Sequence, residues 1–450
     1  HAPAEGESAP PQREVGKMRR TTPVTSALAM LLVVFLTTTA LAAAGDLDTT
    51  FDGDGKLATD FTAGDDIAAA IAIQADGKII VAGIASQRFA LARYEADGSL
   101  DATFGGDGRV TTRIARGLQL VNGLAIQPDG KIVAVGPLYP TGEDARWALA
   151  RYNSDGSLDT SFSGDGKLTV DLTTRDDSAE DVALQDDGKI VVAGGAGGAG
   201  GRFGLARFET NGDLDTTFGG DGTVVTNFDT GFDYATAVAV LGDGKIVAAG
   251  WAGPATSDGY DFAIARFDSA GVLDPAFGNG GKVTTNFTKG NDYAWDMTVQ
   301  ADGKLVLVGT AAGAGGRFAL ARYDDTGALD GDFGGDGKVI TNLGVGSDVA
   351  TGVAILGDGS IVAGGWSGPI KIVPWFGPAA SDDFRFAAAR YDPTGVLDPT
   401  FGVDGTVITD FTKGSDYAWD IGVQEDGKVV LAGRAGGGGG RFASARYLAA

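Results

Sequence analysis

Apolar residues alternate with polar or small ones along most of this chain, in runs of about five to seven, and no helical period is sustained. Four such runs recur in order. In the first full unit they are AIAIQ (Ala70 to Gln74), KIIVAG (Lys78 to Gly83), FALARY (Phe89 to Tyr94) and RVTTRI (Arg109 to Ile114). Each has the length and alternation of a β-strand. The first two flank Ala-Asp-Gly, and Asp-Gly between alternating runs signals a hairpin because both residues tolerate positive φ. The dipeptide recurs at Asp76, Asp129, Asp187, Asp243, Asp302, Asp358 and Asp426, each followed by Gly.

The signature Leu-Asp-x-x-Phe marks the period, with Leu at 47, 100, 158, 214, 273, 329 and 397. Four short antiparallel strands per unit, repeated seven times, predict an all-β chain folded as a seven-bladed β-propeller. A linear β-solenoid would use shorter coils without hairpins, and two barrels would not spread the units evenly. The ends fit a closed ring. The repeats open with LDTTFDGDGKLATDF, a fourth strand without its blade, and stop at RFASARY, a third strand without its fourth. Pairing the strand around Lys56 to Phe61 with the sheet of Ala418 to Tyr447 would remove two open edges.

The stretches DGSLDATFGGDGRV and DDGKIVVAG…RFGLARF resemble the bacterial delta-60 repeat, a propeller repeat of exported proteins whose function is mostly unassigned. The strand order is similar to that of NHL-type propellers. The likeness spans residues 46–447 and implies the fold, with AIAIQ as the innermost strand a and strands b, c and d outward. It implies no catalytic residue.

Residues 1–44 differ from the rest. Met18-Arg19-Arg20 opens a basic segment, and ALAMLLVVFLTTTALAAA (Ala27 to Ala44) is apolar and ends in small residues. This is the pattern of a secretory signal peptide starting at Met18; an uncleaved membrane anchor is the competing reading. The expected division is therefore residues 1–44 as extension and signal, and 45–450 as propeller. The expected location is secreted, extracellular or periplasmic. Of 35 basic and 59 acidic residues, four and three lie in the first 44, leaving a net charge of −25 beyond them. Such a surface repels nucleic acid and anionic lipid. The expected partners are an extracellular carbohydrate, peptide or protein, with no nucleic acid, no membrane after cleavage, and a monomeric chain. Cys is absent, so packing alone must supply stability.

Several repeated residues suit a scaffold. The Asp of each Leu-Asp-x-x-Phe can cap the following turn. The Arg of each Ala-Arg-Tyr/Phe, eight residues earlier, needs a partner if buried, and that Asp is a plausible one. Asp52-Gly-Asp54-Gly resembles a fragment of a Ca²⁺ loop but lacks the further oxygen ligands and terminal Glu of an EF-hand. The expectation is a tight turn and no cofactor, with Ca²⁺ as the alternative.

The single His is His1. Imidazole bases, thiolate nucleophiles and most Zn or Cu sites are therefore excluded from the repeat region. An Asp precedes strand a in six units: Asp66, Asp177, Asp233, Asp292, Asp348 and Asp416, with Gln119 in the seventh. These would ring one mouth of the channel, either capping backbone N–H groups or binding a cation. Near them fall Trp251, Trp295, Trp366, Trp375 and Trp419, joined by Tyr139, Tyr234, Tyr260, Tyr293 and Tyr417. Asp181, Asp296 and Asp420 add acid one step inside strand a, in alternate units. Trp147 reads as core. Rings beside carboxylates suit sugars or peptides. The expected function is non-catalytic ligand binding through Trp251, Trp295, Asp296, Trp366, Trp375, Trp419, Asp420 and Asp181. A carbohydrate-active hydrolase or lyase using paired Asp, and a structural protein-interaction module, are the alternatives. The near-identity of NDYAWDMTVQADGK and SDYAWDIGVQEDGK fits a duplicated pair of blades and by itself requires no function.

Overall fold

The computed structural model describes residues 42–449, except 198–200, 229–230, 255–258, 312–315, 345, 370–382, 412–413 and 437–438. The proposed signal segment, up to residue 41, and Trp375 lie outside the described residues.

Seven antiparallel sheets follow one another, and no helix occurs among the described residues. Strand a is Ile67–Ile73 in blade 1, Ser178–Leu184 in blade 3, Phe232–Val240 in blade 4, Asp292–Val299 in blade 5, Gly346–Ile355 in blade 6 and Tyr417–Val423 in blade 7. In blade 2 it is broken into Leu118–Gln119 and Gly123–Ile126. Strands b, c and d follow in order within each sheet. Blade 7 takes its outer strand from Lys56–Thr59, which pairs antiparallel with Arg441–Tyr447. The a strands lie against one another all the way round, blade 7 against blade 1 included. The protein is thus a seven-bladed β-propeller whose inner strands wall a central channel.

Apolar residues alternating along strands b and c pack between adjacent blades, where seven buried clusters form. The repeated Arg and Asp pair as expected: Arg93 Nε lies 2.7 Å from Asp101, and Arg207 Nε lies 2.7 Å from Asp215. Each of these two guanidiniums also donates to a carbonyl of the next blade, Ser154 and Ser269 respectively. It covers its own blade's Phe as well, 4.8 Å from the ring centres of Phe104 and Phe218. One buried cation thus ties the turn of its own blade to its neighbour.

The Asp-Gly hairpins differ in detail from expectation. Only the Gly takes positive φ, as at Gly77 (φ 83°). Gln74 N–H donates to Lys78 O across a three-residue loop, so the turn is of type I followed by a left-handed Gly. A second feature was not foreseen. In six blades strand a carries a β-bulge, for example between Ala294 and Asp296. The facing residue of strand b is Gly, because the bulged chain presses against it. A Cβ on Gly309 would sit 1.9 Å from Tyr293 O.

Candidate ligand-binding site in the central channel

Successive residues of a regular strand face opposite ways. The bulge changes that. Trp295 and Asp296 in blade 5, Trp419 and Asp420 in blade 7, and Glu180 and Asp181 in blade 3 are sequence neighbours that line one cavity of about 560 Å³. The cavity is the channel itself, since it also takes Ala69, Asn122, Thr236 and Thr351 from the remaining blades.

Each inner Asp bridges two strands. Asp296 Oδ1 accepts Met297 N–H at 2.7 Å, and its Oδ2 accepts Val353 N–H of blade 6 at 2.8 Å. Asp181 does the same with Val182 and Val238, and Asp420 with Ile421 and Ile71. The blades between them use the opposite polarity. Thr236 Oγ1 donates to Ala294 O at 3.1 Å and Thr351 Oγ1 to Ala418 O at 3.0 Å. From blade 3 to blade 7 the inner wall therefore alternates acceptor and donor blades, with the Asp in every second one.

The alternating acids are strained electrostatically. Burial pushes the Asp181 carboxyl up to about 6 and that of Asp420 up to about 7, against the N–H groups that favour the ionised form. Asp296 is pushed well above the ordinary range by burial and then by the charges of Asp420 and Asp181. Burial also raises Glu180, opposed by hydrogen bonds from Ser178, Tyr234 and Asn122.

The proposed acid ring at the mouth has another character. Asp66, Asp233, Asp292, Asp348 and Asp416 are fully buried and Asp177 nearly so. Each accepts backbone N–H groups of the preceding loop, as Asp177 does from Leu172 (2.8 Å) and Thr173 (2.9 Å). Gln119 Oε1 takes the Ile114 N–H in blade 2. These residues cap the loops; none lines the cavity of about 560 Å³, while Asp177 and Asp233 line a second cavity of about 410 Å³. Among the described residues no group of three or more acids or His is placed to hold a metal ion. Asp54 accepts the Lys56 N–H at 2.9 Å, as a turn residue does.

The indoles divide into two kinds. Trp419 is 40% exposed and, with Trp295, faces the channel cavity. Trp251 is buried between blades 4 and 5 in a quartet with Tyr260, Tyr293 and Trp295. Trp366 forms the same quartet with Phe384, Tyr417 and Trp419 between blades 6 and 7. Trp251 stands at 87° to Tyr293 and Trp366 at 86° to Tyr417, the edge-to-face arrangement that a ring quadrupole favours. Trp251 also lines the second cavity, beside blades 3 and 4. Trp147 is fully buried, as expected.

Glu180 was missed from sequence, although DDSAED aligns with NDYAWD and puts Glu where the sister blades have Trp. Asn122 and Ser178 carried no sequence signal of their own.

Residues 74–104, 127–162, 185–218, 241–277 and 300–333 match a family profile described as Domain of unknown function (DUF5122) beta-propeller. This supports a β-propeller family for the chain. No curated protein matches. Among solved structures, a polysaccharide lyase, a PL25 ulvan lyase bound to -[GlcA(1-4)Rha3S]-, is 11% identical with a TM-score of 0.47, covering 89% of this chain and 94% of its own. A gluconolactonase from Xanthomonas campestris is 14% identical with a TM-score of 0.38, covering 72% and 94%. A protein of unknown function from Dyadobacter fermentans is 11% identical with a TM-score of 0.42, covering 88% and 100%. At these identities and scores none of them bears on the chemistry of this chain.

Proposed function

We propose that this protein is a secreted, non-catalytic propeller that binds an extracellular carbohydrate in its central channel. The observation that carries the reading is the convergence of Trp295, Trp419, Asp181, Asp296 and Asp420 on one cavity of about 560 Å³. That volume lies within the usual range for small-ligand sites, roughly 300–1,000 Å³. A sugar ring stacks its C–H face on an exposed indole, and polar groups on the wall orient its hydroxyls. Export rests on the Ala27 to Ala44 segment, and its test is the N-terminus of the protein recovered outside the cell.

Binding fits better than turnover because both oxygens of each inner Asp already accept backbone N–H groups. A carbohydrate-active hydrolase or lyase is the second reading, favoured by one observation: the Asp420 carboxyl is pushed up to about 7, a range in which a protonated carboxyl serves as general acid. A glycan array followed by calorimetry tests the first reading. Trp419→Ala is expected to weaken the bound glycan by at least about tenfold, the scale of one lost stacking contact. An array with no glycan signal, or a signal indifferent to Trp419→Ala, removes its basis. Product release that Asp296→Ala with Asp420→Ala abolishes would establish the enzyme instead.

A further inference from the structure

We infer that the gap between blades 2 and 3 is the specificity subsite of the channel, and that it selects a sugar carrying a free amino group. This rests on the carbohydrate reading above.

The starting point is a broken repeat. Strand registers make Pro137, Trp251 and Trp366 equivalent, since they face Trp147, Phe262 and Phe386 in strand c. Ala145, Tyr260 and Phe384 are equivalent too, because their carbonyls accept N–H from Asp177, Asp292 and Asp416. On the bulged strands Ser178 and Glu180 stand where Tyr293 and Trp295, or Tyr417 and Trp419, stand elsewhere. Two blade pairs therefore fill their inner junction with four aromatic rings. The third has Pro137, Ala145, Ser178 and Glu180 there.

The difference in bulk appears as open space. The cavities of about 560 and 410 Å³ both border this junction and share Tyr139, Ser178 and Tyr234. The junction is also built, not merely empty. Tyr234 reaches in from blade 4 and donates to Glu180 Oε1. Its ring lies over Gly195, where a Cβ would come within 2.3 Å of Cε2. The sister blades carry Thr310 and Arg434 at that position, opposite Tyr293 and Tyr417 as Gly195 is opposite Ser178. Asn122 Nδ2 donates to Oε2 of Glu180 at 2.7 Å, and Ser178 Oγ donates to Oε1.

The chemistry follows from the donors. A carboxylate offers about four lone-pair directions, of which Glu180 has three engaged, so one remains for a ligand. The walls of both cavities contain no Lys, Arg or His among the described residues, and their acids, Glu180, Asp176, Asp177 and Asp233 among them, have no cation in the walls to balance an anionic sugar. Uronate or sulfated sugars are repelled there. An ammonium gains a charged acceptor at Glu180 and the ring faces of Trp295 and Trp419 across the channel.

Calorimetry on the purified protein with four probes tests this: a glucosamine tetramer, an N-acetylglucosamine tetramer, cellotetraose and tetralysine. The glucosamine tetramer is expected to bind at least tenfold more tightly than the acetylated and neutral tetramers. Glu180→Gln is expected to abolish that preference while leaving the weaker neutral binding in place. Ser178→Tyr with Glu180→Trp, which copies the sister blades, is expected to remove binding of all three sugars while keeping the far-ultraviolet circular dichroism spectrum and a single cooperative urea transition. Equal binding of the three sugars, or a preference that survives Glu180→Gln, overturns the amino-sugar inference and leaves the carbohydrate reading standing. Tetralysine binding with no sugar bound overturns both.

Discussion

Asp420 and Ile71 meet where the two ends of the chain close the ring: Asp420 Oδ2 accepts the Ile71 N–H at 2.8 Å. The residues are 349 positions apart, and the bond is the same one that Asp181 makes to Val238 and Asp296 to Val353. The acids most exposed to ligand are thus also fasteners between inner strands. Their ionisation should be felt in stability.

Asp181 and Asp420 titrate near 6 and 7 in the folded chain, against about 3.9 when unfolded. Between those values the native state holds more protons than the unfolded state, so stability falls as pH rises from about 4 to about 7. Asp101 and Asp215 act oppositely. Burial would raise them, but hydrogen bonds and their Arg and Lys partners hold both below the ordinary range. Their contribution is lost only in stronger acid. Urea denaturation should therefore give a higher unfolding free energy at pH 4.5 than at pH 7.5, with a smaller difference in Asp420→Asn. The reverse order would contradict the assignment.

Arg446 and Asp48 test the rivets. The pair is buried at 2.8 Å, and Arg446 also donates to Thr50 and to the Ala96 carbonyl of blade 1. Arg446→Met leaves the buried Asp48 with Lys428 Nζ, 3.4 Å away, as its remaining cationic partner and should destabilise by about 3 kcal/mol, the low end for a broken buried pair. Arg446→Met with Asp48→Leu should recover much of that loss, since apolar replacement of a whole buried pair is often neutral. Chemical denaturation of the three proteins distinguishes a charge effect from lost packing.

Gly309→Ala tests the bulge. Its Cβ would fall 1.9 Å from Tyr293 O, so the strand pair must part. The expected loss is more than about 3 kcal/mol, in the range of severe overpacking. Gly303→Ala is the control for added bulk, having nothing within 4 Å; its φ of 87° should limit the effect to about 1–2 kcal/mol. Similar midpoints for the two would argue against the close approach.

Trp251 and Trp419 should separate packing from binding. Trp251→Ala opens a void between blades 4 and 5 and should cost about 3–5 kcal/mol. Trp419→Ala, with the ring 40% exposed, should change stability by about 1 kcal/mol or less yet weaken ligand. Paired melting and binding measurements on both variants decide whether the aromatic set is one surface or two.

Much of this was legible in the chain. Asp-Gly hairpins, the Leu-Asp-x-x-Phe period and the Arg–Asp spacing act within one blade, over tens of residues, so pattern alone reveals them. The invariant Gly of strand b was visible too, but its meaning was not, because a bulge is defined by the partner strand. Trp295 and Asp296 were expected together in the ligand set, although a strict period of two turns neighbours to opposite faces; the bulge is what lets both line the channel. The acids before strand a were expected either to cap backbone N–H groups or to bind a cation at the mouth; Asp66 and its equivalents are buried and accept loop N–H groups, a contact that only the folded loop reveals.

The sequence by itself determined a seven-fold set of four-stranded sheets, since hydrophobic alternation and turn chemistry are local properties that each unit repeats. Only the tertiary structure decided which repeated residue meets a cavity. That depends on what the neighbouring blade contributes: Tyr234 over Gly195, Asn122 beside Glu180, Ile71 against Asp420. Such contacts arise when the ring forms, and no spacing along the chain encodes them.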